Sequence, residues 1–354
     1  MNRSFVLVVA VCLMLGGCSK KENKDRSARA WPKRAIQVSC FAAAGGGTDT
    51  VNRAIGAAME GDLGVRVNVI NRVGGRGGVA LDYVWSREHD GQHWGGFSES
   101  ILPAAVMGGH NTTAKDWTYF IVAGAPGVLS VAGGSKYKTL NDLLSAAKDQ
   151  PSKIKVSASA TGGLWHTKLI VLEKAAGVRF NFIPYEGSQP SQLAVLSGEV
   201  EAVLTSLSEQ GELIKDHRLI PLGIMEAQEA DLPGLGTIPS AAEIYPAIGQ
   251  VPLRQWLGFA LPADTPREVL ERITAIFLKA MASKEIKDLA AGQMLTLYGL
   301  HGPQADQLVR DMESVWTWML YDQGIATKSP AEFGIPRPPV AATSGPAGDK
   351  SGHP

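Results

Sequence analysis

The sequence predicts an α/β protein of two lobes, in which strands alternate with helices. Short apolar, β-prone runs are each followed by a loop rich in Gly, Ser or Thr and then by a helix-forming segment. This series begins at Ala35 and restarts near Thr139. Between the two terminal segments lie about 300 residues, more than one hydrophobic core usually supports. Repeated strand–loop–helix units predict a largely parallel sheet in each lobe, with the loops gathered at one edge.

The first unit is a strand, a glycine turn and a helix. Residues 35–40 are apolar and β-prone, which indicates a buried strand. The glycines at 45–47 allow the backbone to approach a ligand closely. Thr48 or Asp49 can cap a helix that runs to Gly61, and the first N–H groups of that helix form a seat for an anion. The turn matches neither a Walker A loop nor a full dinucleotide fingerprint, so an anion seat and a plain capped turn both remain open.

The rest of the first series repeats this order. Residues 65–70 alternate as a strand does and lead into a second glycine-rich loop over 71–78. The sequence then predicts a helix over 79–86, a strand over 94–97, a polar loop over 98–100 before a short helix of small residues, and strands over 119–123 and 128–132.

The second series opens with a capping box at Thr139 and Asp142. Strands are predicted over 154–158, 179–183, 200–204 and 219–224, and helices over 164–176 and 192–196. Their loops over 159–163, 184–188 and 205–206 are rich in Ser, Thr and Gly. A strand over 256–261 precedes a helix that starts at Thr265-Pro266 and amphipathic helices over 283–291 and 303–321.

The two ends of the chain predict export and lipidation. A basic start and a short apolar run over 5–15 indicate a secretory signal, and the run is too short to span a bilayer. Leu15-Gly16-Gly17-Cys18 resembles the lipobox of bacterial lipoproteins, which implies cleavage after residues 1–17 and lipidation of Cys18. An ordinary cleaved signal or an uncleaved anchor are the alternatives. Residues 18–34 are expected to be a tether and 332–354 a disordered tail.

Composition and spacing exclude several functional classes. The net charge is zero, and no basic stripe offers a nucleic-acid surface. Cys12 leaves with the signal and the Cys18 thiol is taken by lipid, so Cys40 is the only free thiol of the three cysteines and no internal disulfide is expected. The spacing of His, Cys, Asp and Glu fits no metal site, and no Gly-x-Ser-x-Gly elbow occurs. We therefore expect no metal, no cofactor and no catalytic residues.

Five motifs in order resemble those of the Bug-type solute receptors of tripartite tricarboxylate transporters. They lie at 41–49, 71–77, 138–143, 184–187 and 262–266, and their order and spacing hold from about Ala35 to Ile325. The resemblance implies a type II periplasmic-binding fold with two lobes, each a mostly parallel sheet flanked by helices. It places lobe I at 35–131 and 257–331, lobe II at 132–256, and crossing strands at 128–132 and 256–261.

The resemblance also implies a ligand in the cleft between the lobes. Such receptors hold small carboxylates, and sometimes amino acids or other metabolites, with backbone N–H groups, hydroxyls and ordered waters. The candidate ligand-binding residues are Ala44, Gly46, Gly47, Thr48, Asp49, Gly74, Gly77, Ser98, Ser159, Thr161, Gly162, Trp165, His166, Tyr185, Thr205 and Ser206. Trp165 near the fourth loop and Thr205-Ser206 in place of Asp or Asn depart from the family pattern and leave the ligand open.

Several of these residues have a second interpretation. Asp49 contacts the ligand or merely favours the first helical turn. Arg76 pairs with a ligand carboxylate or is a solvated loop residue. Trp165 stacks on a ligand or forms a half-buried wall. His166 has a purely structural packing role, or it is the general base of a hydrolase whose nucleophile is Ser159 or Ser206.

The resulting hypothesis is a monomeric, lipid-anchored receptor on the periplasmic face of a bacterial membrane. It delivers a small anionic metabolite to the permease subunits of a tripartite tricarboxylate-type transporter. A ligand receptor for a sensor system and an extracytoplasmic hydrolase are the alternatives.

Overall fold

The computed structural model describes residues 31–185, 187–232 and 236–339. The predicted signal peptide, the lipidation site at Cys18 and nearly all of the tether lie outside these residues. The strands are β1 (Ile36–Cys40), β2 (Val67–Asn71), β3 (His93–Ser98), β4 (Trp117–Gly124), β5 (Gly127–Ala132), β6 (Lys155–Ser157), β7 (Asn181–Ile183), β8 (Ala202–Ser206), β9 (Leu219–Ile224), β10 (Ala230–Leu232), β11 (Gly236–Ile238), β12 (Leu257–Pro262) and β13 (Thr296–His301).

The helices over the same ranges alternate with these strands. They are α1 (Gly47–Leu63), α2 (Gly78–Trp85), α3 (Leu140–Asp149), α4 (Leu164–Ala176), α5 (Ser188–Leu196), α6 (Leu207–Lys215), α7 (Ala247–Gln250), α8 (Arg267–Met281), α9 (Lys284–Gly292) and α10 (Gly302–Asp322). None of them is long and apolar enough to cross a membrane.

Two main sheets confirm the prediction of two α/β lobes. The first has the strand order β13-β4-β12-β3-β1-β2, and the second has the order β7-β6-β8-β5-β9. The prediction that each is mostly parallel is wrong, because both are mixed. In the first sheet β1 pairs in parallel with β2 and β3, while β12 runs antiparallel to β3 and β4. In the second, β6 is parallel to β7 and β8, while β5 is antiparallel to β8 and β9.

The chain changes sheet earlier than the sequence predicted. β4 ends at Gly124 in the first sheet, and β5 begins at Gly127 in the second, so the crossing is Ala125-Pro126. The predicted lobe boundary between 131 and 132 therefore moves to this dipeptide, because β5 pairs with β8 and β9 over its whole length. The chain returns between β9 and β12, through the β10–β11 hairpin and α7.

Helix α1 shows why the first unit folds as it does. Val51, Ile55, Met59 and Leu63 recur at helical spacing and are all buried. They pack α1 onto β2, β12 and α8. The helix ends at Gly64, whose positive φ of 72° suits glycine, and not at the predicted Gly61.

Helix α10 connects the two lobes a third time. It packs along β4 and β13 of the first sheet and also contacts α4, which covers the second. Nε1 of Trp316 donates to Oγ1 of Thr167 at 2.9 Å, and both side chains are fully buried. One hydrophobic core accordingly contains Ile121 of the first sheet together with Val156 and Leu204 of the second. The two lobes share packed interior, in addition to the two crossing segments.

The residues after α10 differ from the predicted disordered tail. Pro330–Phe333 forms a 3-10 turn, and Ile335 beyond it is buried. The Arg337 guanidinium pairs with Asp322 at 2.9 Å and lies over the ring of Trp318. The described chain is therefore packed as far as Pro338, which is buried, and the tail from residue 340 lies outside the described residues.

Candidate functional site

Two rows of strand ends face each other where the chain crosses between sheets. β1, β2, β3 and β4 end, and β12 begins, at one edge of the first sheet. β6, β7, β8 and β9 end, and β5 begins, at the corresponding edge of the second. Only Ala125-Pro126 separates β4 from β5, so these edges form the two walls of a cleft. Ligands of α/β proteins bind outside the carboxyl ends of the strands.

Strand order fixes which loops face each other. Neighbouring strands lie about 4.8 Å apart, so distance from the crossing segments can be read from the order of strands. The loops after β3 and β8 lie innermost, those after β1 and β6 come next, and those after β2 and β7 lie at the mouth. At the mouth, Arg76 donates to the carbonyl oxygen of Thr161 at 3.1 Å. This bond joins the two walls directly.

Four of the helices that follow these loops start at glycine, whereas α6 after β8 starts at Ser206. The N-cap residues of α1, α2, α4 and α5 are Gly46, Gly77, Gly163 and Gly187, and none of these helices has a side-chain capping bond. Helices α3 and α9, by contrast, start at Thr139 and Ser283, whose hydroxyls accept a backbone N–H. The first N–H groups of a helix have no partner within it. A glycine cap leaves them, and the positive end of the helix dipole, to a ligand.

Asp49 anchors the first loop to the second strand. Its carboxylate accepts the Gly45 N–H at 2.9 Å and the Asn71 side-chain amide at 2.8 Å, and it pairs with Arg53 at 2.9 Å. Burial alone would raise the pKa of Asp49, but the hydrogen bonds from Arg53, Gly45 and Asn71 lower it below the usual value. Asp49 is buried and does not cap α1, because Gly46 does. These contacts match the structural interpretation of Asp49.

Contacts with the neighbouring strand and helix also fix the second glycine-rich loop, residues 71–78. Arg72 donates to the Ser39 hydroxyl at 3.2 Å and lies 3.6 Å over the Tyr83 ring. Gly77 is buried and its N–H donates to Gly74. A side chain at Gly77 would meet Ile101. Of the two predicted residues here, only Gly74 is exposed to the cleft mouth.

His166 stabilises the conformation of the loop before α4. Its Nδ1 accepts the Gly162 N–H at 3.0 Å, and its ring stacks on Phe182 with 3.9 Å between ring centroids. Burial lowers the pKa of His166 from 6.5 to about 4, so the ring is neutral and Nδ1 is an acceptor at pH 7. The Gly162 N–H is therefore bonded to His166 and is not available to a ligand. Ser159 is partly exposed and Thr161 is exposed.

Trp165 and Tyr185 pack against protein. Trp165 is buried, and a Cβ built at Gly127 would lie 2.7 Å from its ring, so the ring covers the start of β5. Tyr185 packs on the core under α5 and α6, which contains Val195. These contacts favour the wall interpretation of Trp165 and place the Tyr185 ring against this core.

Ser206 ties the second sheet to both crossing segments. Its hydroxyl donates to Oε1 of Gln255 at 3.1 Å, and the same oxygen accepts the Ala125 N–H at 3.2 Å. The Ser206 and Ser208 hydroxyls lie 2.7 Å apart. Ser206 thus belongs to the joint between the lobes.

Thr205 and Ser98 also have internal partners. Oγ1 of Thr205 accepts the side-chain amides of Gln210 at 3.0 Å and Gln192 at 3.3 Å. The Ser98 hydroxyl accepts the Ser100 N–H at 3.2 Å and starts a 3-10 turn in place of the predicted short helix. Both side chains are buried. The predicted residues that are at least partly exposed are therefore Ala44, Gly46, Gly47, Gly74, Ser159 and Thr161, whereas Thr48 is buried in the first turn of α1.

Three polar residues near the crossing segments were missed by sequence reasoning. They are Glu99 after β3, Glu209 in the first turn of α6, and Gln255 before β12. A signal existed for two of them, since Glu99 stands between serines directly after a buried strand, and Glu209 has capping-box spacing from Ser206. Within the described ranges, no group of three or more His, Cys, Asp or Glu side chains could hold a metal ion.

Comparison with known proteins gives consistent results. A family model described as the tripartite tricarboxylate transporter family receptor matches residues 51–325. Protein BugT of Bordetella pertussis is 25% identical over 309 residues, which is 85% of this chain and 93% of BugT. R. palustris Rpa4515, solved with adipate, superimposes with a TM-score of 0.72 at 24% identity, covering 84% of this chain and 99% of that one. MatC from Rhodopseudomonas palustris, solved with bound malate, gives 0.68 at 20% identity, covering 82% and 100%.

Proposed function

The chain belongs to the tripartite tricarboxylate transporter family of receptors, and from this we propose that it captures a small carboxylate for the permease subunits of such a transporter. The family consists of solute-binding receptors and not of enzymes. The observation that carries the proposal is that α1 and α4 both start at a glycine without a side-chain cap and follow β1 and β6, which lie at the same depth on the two walls. Two positive helix ends aimed at one space suit an anion.

We assign direct ligand contact to the exposed residues of the loops after β1 and β6. The backbone at Gly46 and Gly47 allows close approach, and Ser159 and Thr161 add hydroxyl donors. Ala44 lies in the loop after β1, and Gly74 lies in the loop after β2 at the mouth of the cleft. We assign the remaining predicted residues a supporting role in the fold around the cleft, and they are Thr48, Asp49, Gly77, Ser98, Gly162, Trp165, His166, Tyr185, Thr205 and Ser206.

The strength of such a seat is adequate for a receptor. A hydrogen bond to a charged group contributes about 1.5–3 kcal/mol net, so about three to five of them reach the roughly 8 kcal/mol of micromolar binding. The adipate and malate named for two structural neighbours are carboxylates and support this chemical class.

A hydrolase is not favoured by the contacts of its candidate residues. His166 is neutral and bonded to Gly162, and its ring is covered by Phe182. The Ser206 hydroxyl is bonded to Gln255 and Ser208. A general base must reach the proton that it abstracts, and these partners occupy both groups.

Native mass spectrometry of protein purified from its own host tests the function. We expect a bound species with the mass of a small carboxylate, and a higher unfolding temperature when that compound is added to stripped protein, because ligands that bind only the folded state stabilise it. Protein that carries no such species, and whose unfolding temperature no small carboxylate changes, would contradict the proposal.

We further propose that the receptor works as a monomer in the periplasm, anchored to the membrane through lipid on Cys18. The Leu15-Gly16-Gly17-Cys18 sequence supports this. Replacing Cys18 by serine removes the acceptor thiol, so the variant should move from the membrane to the soluble fraction when cells are fractionated. Equal solubility of wild type and variant would refute the anchor and leave ligand binding unaffected.

A further inference from the structure

Basic and aromatic side chains gather on one face of lobe I, beside the edge strand β2. Cζ of Arg72 lies 3.6 Å from the centroid of the Tyr83 ring, and Cζ of Arg87 lies 4.3 Å from the same centroid. Nε of Arg72 also donates to the Ser39 hydroxyl on β1 at 3.2 Å. The Tyr83 hydroxyl donates to Oε1 of Gln37 on the same strand at 3.0 Å. β1 therefore holds a basic and an aromatic group in place on this face.

This face carries an excess of positive charge. Within the described residues, Arg34, Arg72 and Arg87 form no ion pair with a carboxylate. Burial lowers the pKa of His93 on β3, and the charges of the same arginines lower it further, whereas the charge of Asp90 raises it. These charged groups therefore all lie near one imidazole ring. The guanidinium groups keep N–H donors for an anion outside the chain.

Exposed apolar side chains lie among these charges. Ile70 pairs with Ser39 in the parallel register of β2 and β1, so it lies on the side of the sheet where Ser39 accepts Arg72. It is 38% exposed. Val79 lies one helical turn before Tyr83 on α2 and is 48% exposed. Apolar side chains exposed on a basic surface mark a contact with a partner or a membrane.

The chain enters lobe I beside this face. Trp31 is buried, its carbonyl accepts Arg272 of α8, and Arg34 follows it shortly before β1. Residues 19–30 separate Cys18 from Trp31, and a chain of that length reaches at most about 45 Å. A lipid on Cys18 would keep lobe I within this distance of the membrane. The connecting residues are mostly basic where they are charged, with Glu22 and Asp25 against Lys20, Lys21, Lys24, Arg26 and Arg29.

We propose, on the basis of the lipid anchor proposed above, that the face formed by Arg34, Ile70, Arg72, Val79 and Arg87 rests on anionic lipid headgroups of the membrane that carries the anchor. Guanidinium groups fit phosphate in bidentate geometry, and each basic side chain near an anionic surface strengthens attachment about fivefold. The exposed apolar side chains then meet the boundary between headgroups and acyl chains. The receptor keeps one side toward the membrane and does not turn freely on its tether.

Flotation with lipid vesicles tests the proposal. The mature chain, residues 18–354, is prepared with the Cys18→Ser substitution so that it carries no lipid of its own. We expect it to bind vesicles of phosphatidylglycerol and phosphatidylcholine in equal parts, less so as salt is raised, and not to bind phosphatidylcholine alone. Adding Arg72→Gln and Arg87→Gln should reduce the bound fraction per lipid about tenfold or more.

A second pair of substitutions controls for net charge. Arg267→Gln with Lys279→Gln removes the same charge from α8, where both side chains are exposed. Helix α8 packs with α1 on the opposite side of the first sheet, in the core that contains Ile36 and Val38. The basic tether is the same in every variant, so it cancels in the comparison. The control should bind within about twofold of the unsubstituted chain, because charges far from the surface are screened.

Quenching by nitroxide-labelled lipid tests the orientation in the lipidated receptor. A fluorophore attached in Ile70→Cys should be quenched, and the same fluorophore in Leu278→Cys should not, since Leu278 is exposed on α8. Equal vesicle binding by the two double variants, or equal quenching at the two positions, would overturn the proposal. Binding of poly-glutamate without binding of either vesicle would also overturn it, because the face would then fit an acidic protein. Cell fractionation of Cys18→Ser decides separately on the anchor, and ligand calorimetry on the receptor function.

Discussion

Replacing Gly46 by valine should weaken ligand binding about a hundredfold or more. Gly46 is the N-cap of α1, and a ligand must approach its backbone to reach the N–H groups of residues 47–49. A Cβ at this position already lies 3.2 Å from the Ala43 carbonyl oxygen, and the two methyl groups of valine extend further. Losing about 3 kcal/mol, the equivalent of one or two charge-assisted hydrogen bonds, corresponds to about a hundredfold in affinity.

Two further variants make this result specific. Gly61→Val alters the same helix where a Cβ would meet nothing within 4 Å, and its binding should match wild type. Arg76→Ala removes the bond to the Thr161 carbonyl at the mouth and should weaken binding by about tenfold or less, as a rim charge does. Calorimetry with the identified ligand compares the three. Loss of binding in Arg76→Ala with normal binding in Gly46→Val would replace the helix seat by an arginine clamp.

Truncation of Trp316 to alanine should lower the free energy of unfolding by about 3–5 kcal/mol, as for other large buried aromatics. Trp316 is fully buried and lies in the core that both lobes share. Urea unfolding measures the loss. Tyr321→Ala on the same helix is the control, since Tyr321 is exposed and its removal should change stability by less than about 1 kcal/mol. Equal losses in the two variants would show that α10 does not hold the lobes together.

Trp316 also supports the site. Its Nε1 donates to Oγ1 of Thr167, and that hydroxyl donates at 3.0 Å to the carbonyl of Gly163, the N-cap of α4. Trp316→Phe keeps most of the ring volume and removes this donor. The start of α4 is then less firmly placed, so we expect a loss of a few-fold in ligand affinity beside a loss of stability of about 1 kcal/mol.

The sequence predicted the glycine loops and their helices because these depend on local features. Strand β1, helix α4 with its end at Gly177, and the capping box at Thr139 each follow from residues close together in the chain. The two-lobed class followed from repetition of such units. Strand direction did not, because the antiparallel placement of β12 and β5 depends on where the chain crosses between sheets.

The role of each polar side chain could not be predicted from its loop alone. Asp49 binds Asn71, which is distant in sequence, and His166 bonds back to Gly162 under the ring of Phe182. These bonds determine which groups remain open to a ligand. β13 was missed for a related reason, since it forms only as an antiparallel partner at the edge of the first sheet, with an irregular register against β4.

A crystal structure of the protein with its co-purified ligand is the most direct test of the cleft as a carboxylate site. We expect carboxylate oxygens within about 2.7–3.2 Å of N–H groups at 47–49 in α1 and 164–166 in α4, the range of normal hydrogen bonds. A ligand whose carboxylate is held by the Arg76 guanidinium, or that lies outside the cleft between the two sheets, would contradict the site proposed here.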